Sequence, residues 1–297
     1  MGLGLDESQF EHVPVRTNGV TLHTVQAGPA NGRLLILLHG FPEFWYGWRA
    51  QIGYFANLGW RVVAPDQRGY NLSDKPAGVD RYAVETLAAD VVGLIQAMGQ
   101  DSAWLVGHDW GAAVAWETAL RYPERVQRLG ILNVPHPGVM TQYLRGNFRQ
   151  MLKSWYIFYF QIPGLPEWML SRNQYAGLSR MLRESGKTGT FQDVDMERYI
   201  AAWSQPGSVT AMLNWYRSIF RSTAKSTFGP RTGDRRVVVP TLILWGRQDV
   251  ALSAEMAQRS ADLCVNGRLV YFDDATHWVQ HDEPVAVNAA LADFLVR

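Results

Sequence analysis

The chain has 297 residues, of which 47% are apolar and 19% charged, with a formal net charge of +1. That balance supports a sizeable core in one large domain or two small ones, and lacks the charge excess of a protein that binds nucleic acid or an anionic membrane. A single cysteine, Cys264, excludes an internal disulfide and fits a reducing cytoplasm, where the protein is expected.

The opening residues, MGLGLDESQF, lack a basic segment followed by a long apolar one, so no signal peptide is expected. Next, HVPVRTNGVTLHTVQAG (12–28) alternates apolar and polar residues around Asn18-Gly19, the pattern of a hairpin. Six short, near-continuous apolar runs follow, as expected for parallel strands covered on both faces: 33–40, 61–66, 102–109, 128–133, 239–246 and 268–274. Helical patterns fill the gaps at about 47–57, 82–98, 111–121, 253–263 and 284–296. An antiparallel edge therefore precedes a doubly wound parallel sheet.

The rhythm breaks between Asn133 and Val237, where aromatic helical patterns and Gly/Pro punctuation replace buried strands. We expect a helical insertion, residues 135–230, in a core made of 1–134 and 231–297. Its most apolar stretch (155–170) is interrupted by Pro163, Gly164 and Pro166 and is too short to span a bilayer. No His/Cys cluster has metal-ligand spacing and no phosphate loop is present, so neither metal nor cofactor is expected.

The apolar run at 102–109 ends in Gly107-His108-Asp109-Trp110-Gly111, followed by a small-residue helix. This is the shape of a nucleophile elbow, with aspartate where serine is common. Asp109 could simply cap the helix. As a nucleophile it would need a base, an acid to orient that base, and donors for an oxyanion. In Ser enzymes with this elbow the chain order is nucleophile, acid, histidine. Asp249, after the strand in LILWGRQD, and His277, in DDATHWVQHDEP, supply that order. Asp273, Asp274, Asp66 and Asp74 are competing acids, and His39, His108, His136 and His281 competing bases. The last two acids lie in a loop rich in turn residues. The oxyanion donors should be the backbone N–H groups of Trp110 and of Phe41 in HGFPEFWYGWR.

HGFPEFWYGWR, GHDWG, GRQD and THWVQHDEP, in this order, resemble the epoxide hydrolases of the α/β-hydrolase fold over nearly the whole chain. The resemblance implies an ester between Asp109 and an epoxide carbon, hydrolysed by water that His277 activates with help from Asp249. A carboxylate suits this chemistry because its own acyl carbon is open to water, whereas a serine ether would have no such exit. The family also uses a pair of cap tyrosines to protonate the epoxide oxygen. WYIFYFQIPG resembles its first cap motif at Tyr156, with Tyr159 as a close rival, and LNWYRSIF its second at Tyr216. Thr276 departs from the smaller residue common before the histidine.

The haloalkane dehalogenases are the alternative, with the same triad but two N–H donors for halide. Trp110 could give one and a cap indole (Trp155, Trp168, Trp203 or Trp215) the other. A non-enzymatic receptor-like module is a third reading. For the substrate, Trp45, Trp155, Phe158 and Trp278, beside Phe41 and Trp110, are the candidate aromatic lining, about half of them expected to face an apolar epoxide. The partners expected are thus a small apolar epoxide and water, with no nucleic acid or membrane, and the protein itself a monomer or homodimer.

Overall fold

A computed structural model describes residues 9–146, 148–225 and 236–296. The opening residues and the expected junction at 230/231 lie outside the described residues. Eight strands form one sheet in the order β1-β2-β4-β3-β5-β6-β7-β8. β1 (Glu11–Thr17) and β2 (Val20–Ala27) are the expected hairpin, and β2 runs antiparallel to β4 (Arg61–Pro65). From β4 onward the pairs are parallel, through β3 (Leu34–Leu38), β5 (Ala103–His108), β6 (Val126–Leu132), β7 (Thr241–Gly246) and β8 (Gly267–Phe272). Parallel strands need long crossovers, and helices supply them on both faces. These are α1 (Arg49–Asn57), α2 (Val84–Ala97), α3 (Trp110–Arg121) and α10 (Glu255–Asp262), while α11 (Val279–Asp282) and α12 (Pro284–Val296) follow the last strand. Every residue of β3 is buried, which explains why it reads as an unbroken apolar run.

Between β6 and β7 the chain forms α4 (Pro137–Gly146), α5 (Phe148–Lys153), α6 (Trp155–Tyr159), α7 (Leu165–Ser185), α8 (Asp193–Trp203) and α9 (Ser208–Lys225). α7 is interrupted at Arg172–Tyr175. No helix among the described residues is long and apolar enough to cross a membrane.

The junction of β5 and α3 fixes the geometry of the site. Asp109 holds φ +50°, ψ −124°, a conformation that costs a non-glycine residue about 1–3 kcal/mol. The crossing is tight: a Cβ at Gly111 would lie 2.1 Å from the Leu38 carbonyl oxygen, and one at Gly107 2.4 Å from the Gly111 carbonyl oxygen. Because those neighbours are backbone atoms, they cannot rotate away. We therefore expect Gly111→Ala to destabilise the protein by about 3 kcal/mol, at the upper end of overpacking penalties. Urea denaturation checks this, and a loss below about 1 kcal/mol would show that α3 can move off β3.

Candidate active site

The parallel register lines up the strand ends. Leu38 pairs with Gly107, His108 with Leu132, Leu132 with Leu244, and Gly246 with Phe272. The loops that follow these strands therefore meet at the carboxyl edge of the sheet, where open α/β sheets place their sites. They bring together Phe41, Asp109, Asn133, Asp249 and His277.

Asp249 is buried and fully engaged. Its Oδ1 accepts the N–H groups of Ala251 (2.7 Å) and Leu252 (2.8 Å). Its Oδ2 accepts Asn133 Nδ2 (2.8 Å) and His277 Nδ1 (2.7 Å). Burial alone would raise its pKa, but His277, Asn133 and the Leu252 N–H outweigh burial and hold the carboxyl below its ordinary value. With Nδ1–H donated to Asp249, His277 turns Nε2 toward Asp109 Oδ2, 3.5 Å away. Burial opposes charge on the ring, yet Asp249 and Asp109 together push its pKa up to about 10.

Asp109 is the more open of the two carboxylates, with its side chain 19% exposed against 0% for Asp249. Its Oδ1 accepts the Phe41 N–H at 2.6 Å. Gly40 permits this approach, since a Cβ there would come within 2.3 Å of Asp109 Cβ. Trp110 opens α3, so its N–H has no acceptor within the helix.

The competing groups are committed elsewhere. Asp66 accepts from Trp45 N, Asn71 Nδ2 and His23 Nδ1, and Asp74 from Thr21 N, so both brace loops. Asp273 pairs with Arg247, and Asp274 is exposed. Among the histidines, His39 accepts the Gln67 N–H, His136 accepts the Gly138 N–H, and His108 donates to the His277 carbonyl. His281 bonds Glu43 Oε1 at 2.7 Å and faces Arg49 at 3.0 Å.

Glu43 was not singled out from the sequence. It is buried, accepts Tyr199 Oη (2.6 Å) and Gln280 Nε2 (3.2 Å) besides His281, and lies 3.4 Å from His108. Burial would raise its pKa, but His281 and His108 hold it well below the usual carboxylate range. A glutamate just after a post-strand His-Gly-Phe-Pro was the available signal, and exposed surface glutamates are common enough to hide it.

Tyr156 on α6 and Tyr216 on α9 face each other above this edge, with ring centroids 5.9 Å apart. Tyr216 also packs against Trp110 (5.1 Å) and Phe41 (5.3 Å). Both phenols are held well above their ordinary pKa, first by burial and then by Asp109. For Tyr216, hydrogen bonding with the Trp110 side chain opposes the rise. Tyr159 packs instead on Trp155 and Phe160. Of the two rivals, Tyr156 is the ring placed beside Tyr216.

The expected aromatic lining needs correction. Trp45 is buried among Phe10, His12, Phe44 and Tyr46, on the β1–β2 side of its loop. Trp155 and Phe158 are 62% and 54% exposed and face outward. Trp278 is buried, with its ring 5.1 Å from that of His277, against which it packs. The sequence reading missed Phe160, which contacts Tyr216 (5.0 Å), Phe41 (5.8 Å) and Tyr156 (5.8 Å). Its i, i+4 spacing from Tyr156 places both on one helix face, a signal that was present in the sequence.

The cap indoles offer little to a halide. Trp215 Nε1 donates to the Arg68 carbonyl and Trp203 Nε1 to the Pro42 carbonyl, while Trp168, like Trp155, is exposed.

Residues 33–284 match the family described as alpha/beta hydrolase fold. The chain is 45% identical over 281 residues to the AB hydrolase superfamily protein YfhM of Bacillus subtilis, covering 95% of this chain and 96% of the relative. It is 35% identical to epoxide hydrolase A of Mycobacterium tuberculosis, at 95% and 96% coverage. An epoxide hydrolase of Bacillus megaterium, solved with an inhibitor, superposes with a TM-score of 0.87 at 36% identity, covering 96% of this chain and all of that one. A carboxylate at a glycine-flanked elbow, an Asp-supported histidine and full-length likeness of this kind agree: the chain belongs to the epoxide hydrolases of the α/β-hydrolase fold.

Proposed function

We propose that this enzyme converts epoxides to vicinal diols through an ester on Asp109, in a core of 1–134 and 231–297 covered by a cap of 135–230. The observation that carries the reading is the pairing of two phenols, half-buried Tyr156 and buried Tyr216, beside a carboxylate with an Asp-supported histidine next to it. In the first step an Asp109 oxygen attacks an epoxide carbon, the C–O bond breaks, and a phenol delivers its proton to the departing oxygen. In the second, His277 Nε2 takes a proton from water as its oxygen adds to the Asp109 acyl carbon. The Phe41 and Trp110 N–H groups stabilise the resulting oxyanion; its collapse expels the alkoxide of the diol, which takes the proton of the new acyl hydroxyl and so restores the carboxylate. The imidazolium proton returns to the phenolate through solvent, closing the cycle.

Substrate preference follows from the lining. Phe41, Trp110 and Phe160 flank the tyrosines, and an apolar surface gains about 25 cal/mol per Å² buried. Aryl and alkyl epoxides suit it better than small polar ones such as glycidol. The haloalkane alternative lacks an uncommitted buried cap indole among those considered.

The two steps separate experimentally. With His277→Gln we expect ester formation to persist while hydrolysis stops, so mass spectrometry of the intact protein after mixing with styrene oxide should show a gain equal to the substrate. Steady-state diol production at the wild-type rate in that variant would remove His277 from the mechanism.

The tyrosines act on the first step. Tyr156→Phe and Tyr216→Phe should each slow alkylation by about tenfold to a hundredfold, because one donor remains; a full oxyanion donor is worth roughly 3 kcal/mol. The double variant should be nearly inactive on epoxides in stopped-flow alkylation assays. If it opens them within about threefold of wild type, the phenols only pack.

The charge state of His277 should follow the reaction. Both carboxylates raise its pKa, so esterifying Asp109 removes one of them and lowers it. A base must be unprotonated, so hydrolysis of the ester should speed up as pH rises through that lowered value. Asp109→Asn mimics the neutral ester. NMR titration of His277 should therefore show its pKa fall from about 10 toward the ordinary histidine value. A pKa unchanged by the substitution would mean that Asp109 does not govern the base.

A further inference from the structure

The loop that carries His277 is fastened on two sides. On the core side, the His108 imidazole donates to the His277 carbonyl (2.9 Å), and the Thr276 carbonyl lies so close to β7 that a Cβ at Gly246 would come within 2.0 Å of it. On the other side the contacts converge on Asp282, at the end of α11. Its Oδ2 accepts both the N–H (2.8 Å) and the hydroxyl (2.6 Å) of Thr276, the residue just before the base. Its Oδ1 accepts the Thr190 hydroxyl (2.7 Å), with the Lys187 N–H at 3.4 Å, both from the α7–α8 connection of the cap.

The residue on the far side of the base is tied to the same cap segment. Trp278 Nε1 donates to Ser185 Oγ (2.8 Å), its ring packs on Phe191, and its own N–H reaches back to the Thr276 hydroxyl (3.2 Å). Lys187 Nζ is paired with Glu283, the neighbour of Asp282. Both residues flanking His277 are thus connected to residues 185–191 of the cap, Trp278 directly through Ser185 and Thr276 through the Asp282 carboxylate. Neither carboxylate oxygen is spare: one belongs to the base loop, the other to the cap.

We propose that Asp282 is a positioning residue that hangs the His277 loop from the cap, so that the seating of the cap sets how far Nε2 reaches toward Asp109 and its ester. The 3.5 Å gap between Nε2 and Asp109 Oδ2 exceeds a hydrogen bond, so small displacements of the loop change that reach directly. This rests on the two-step reading above. The base is needed in the second step and not in the first, so the link acts on ester hydrolysis. It joins the element that carries the acids to the element that carries the base.

The test uses Thr190→Val, which removes only the cap end of the link, Asp282→Asn, which disturbs both ends, and Thr190→Ser, which keeps the hydroxyl. Single-turnover mixing with styrene oxide gives alkylation and hydrolysis rates separately. Proton NMR follows the downfield Nδ1–H of His277 that bonds Asp249, a readout independent of any ester. We expect Thr190→Val and Asp282→Asn to alkylate at the wild-type rate, to hydrolyse the ester about five- to tenfold more slowly, and to shift or broaden the Nδ1–H signal. Thr190→Ser should match wild type in all three. Wild-type hydrolysis together with an unmoved Nδ1–H signal in Thr190→Val overturns the proposal, as does a defect confined to Asp282→Asn. Equal slowing of both steps also overturns it, since that marks general loosening. Absence of any ester in the wild type and in His277→Gln would fail the two-step mechanism instead, and the NMR signal would then decide the link alone.

Discussion

The whole site depends on how closely α3 can approach β3 and β5. Only glycine at 107 and 111 lets the helix start directly beneath the Leu38 carbonyl, and that start forces Asp109 into a conformation aspartate rarely holds. The strain is local and the surrounding packing over-determines it. The result is a carboxylate projecting from the top of the sheet while its main chain remains in the core. Gly40 belongs to the same constraint, because it clears the space through which the Phe41 N–H reaches Asp109 Oδ1.

Around that fixed point the electrostatics are arranged in two compartments. Asp109 and Asp249 share His277, and Glu43 shares His281 and neighbours His108. A buried carboxylate is costly unless paired and hydrogen-bonded, and each buried one here meets that condition through several donors. His108 stands between the compartments, since it lies beside Glu43 and donates to the carbonyl of His277. His277 is thus oriented through its ring by Asp249 and through its main chain by His108. Asn133, at φ +51°, contributes from β6 by donating to Asp249 and accepting the N–H of Gly246.

The helices between β6 and β7 set aromatic surface beside the strand ends, with Tyr156, Phe160 and Tyr216 packed near Phe41 and Trp110. The short helix α6 and the residue that ends it divide sharply: Tyr156 and Phe160 turn inward, while Trp155 and Phe158 face outward. Those helices are also bound to the rest of the fold by many directional polar contacts, among them Tyr199 to Glu43, Trp203 to the Pro42 carbonyl and Trp215 to the Arg68 carbonyl. These reach the loop after β3 and the loop after β4, so the cap touches the same strand ends that carry the chemistry.

The strand and helix order, the hairpin edge, the helical insertion and the residues Asp109, Asp249 and His277 were all legible in the chain. Apolar runs and glycine spacing are local properties, and parallel register then carries each post-strand loop to one edge without further information. The Asp282 link escaped notice because its partners, Thr190 and Thr276, lie 92 and 6 residues away and carry no motif of their own. In the sequence Thr276 is only a departure from its relatives, and its hydrogen bonds to Asp282 and Trp278 depend on how the chain around α11 folds back on itself. The aromatic lining failed for a related reason. Composition and proximity to a motif do not say which way a ring points, and that direction is decided by helix phase and by which surface the neighbouring helices leave open. Sequence alone determined the order of the elements and the chemistry of the strand ends, because those follow from near neighbours along the chain. Tertiary structure alone decided which tyrosine and which aromatic rings face Asp109, because that depends on how the cap helices rotate against a sheet distant in sequence.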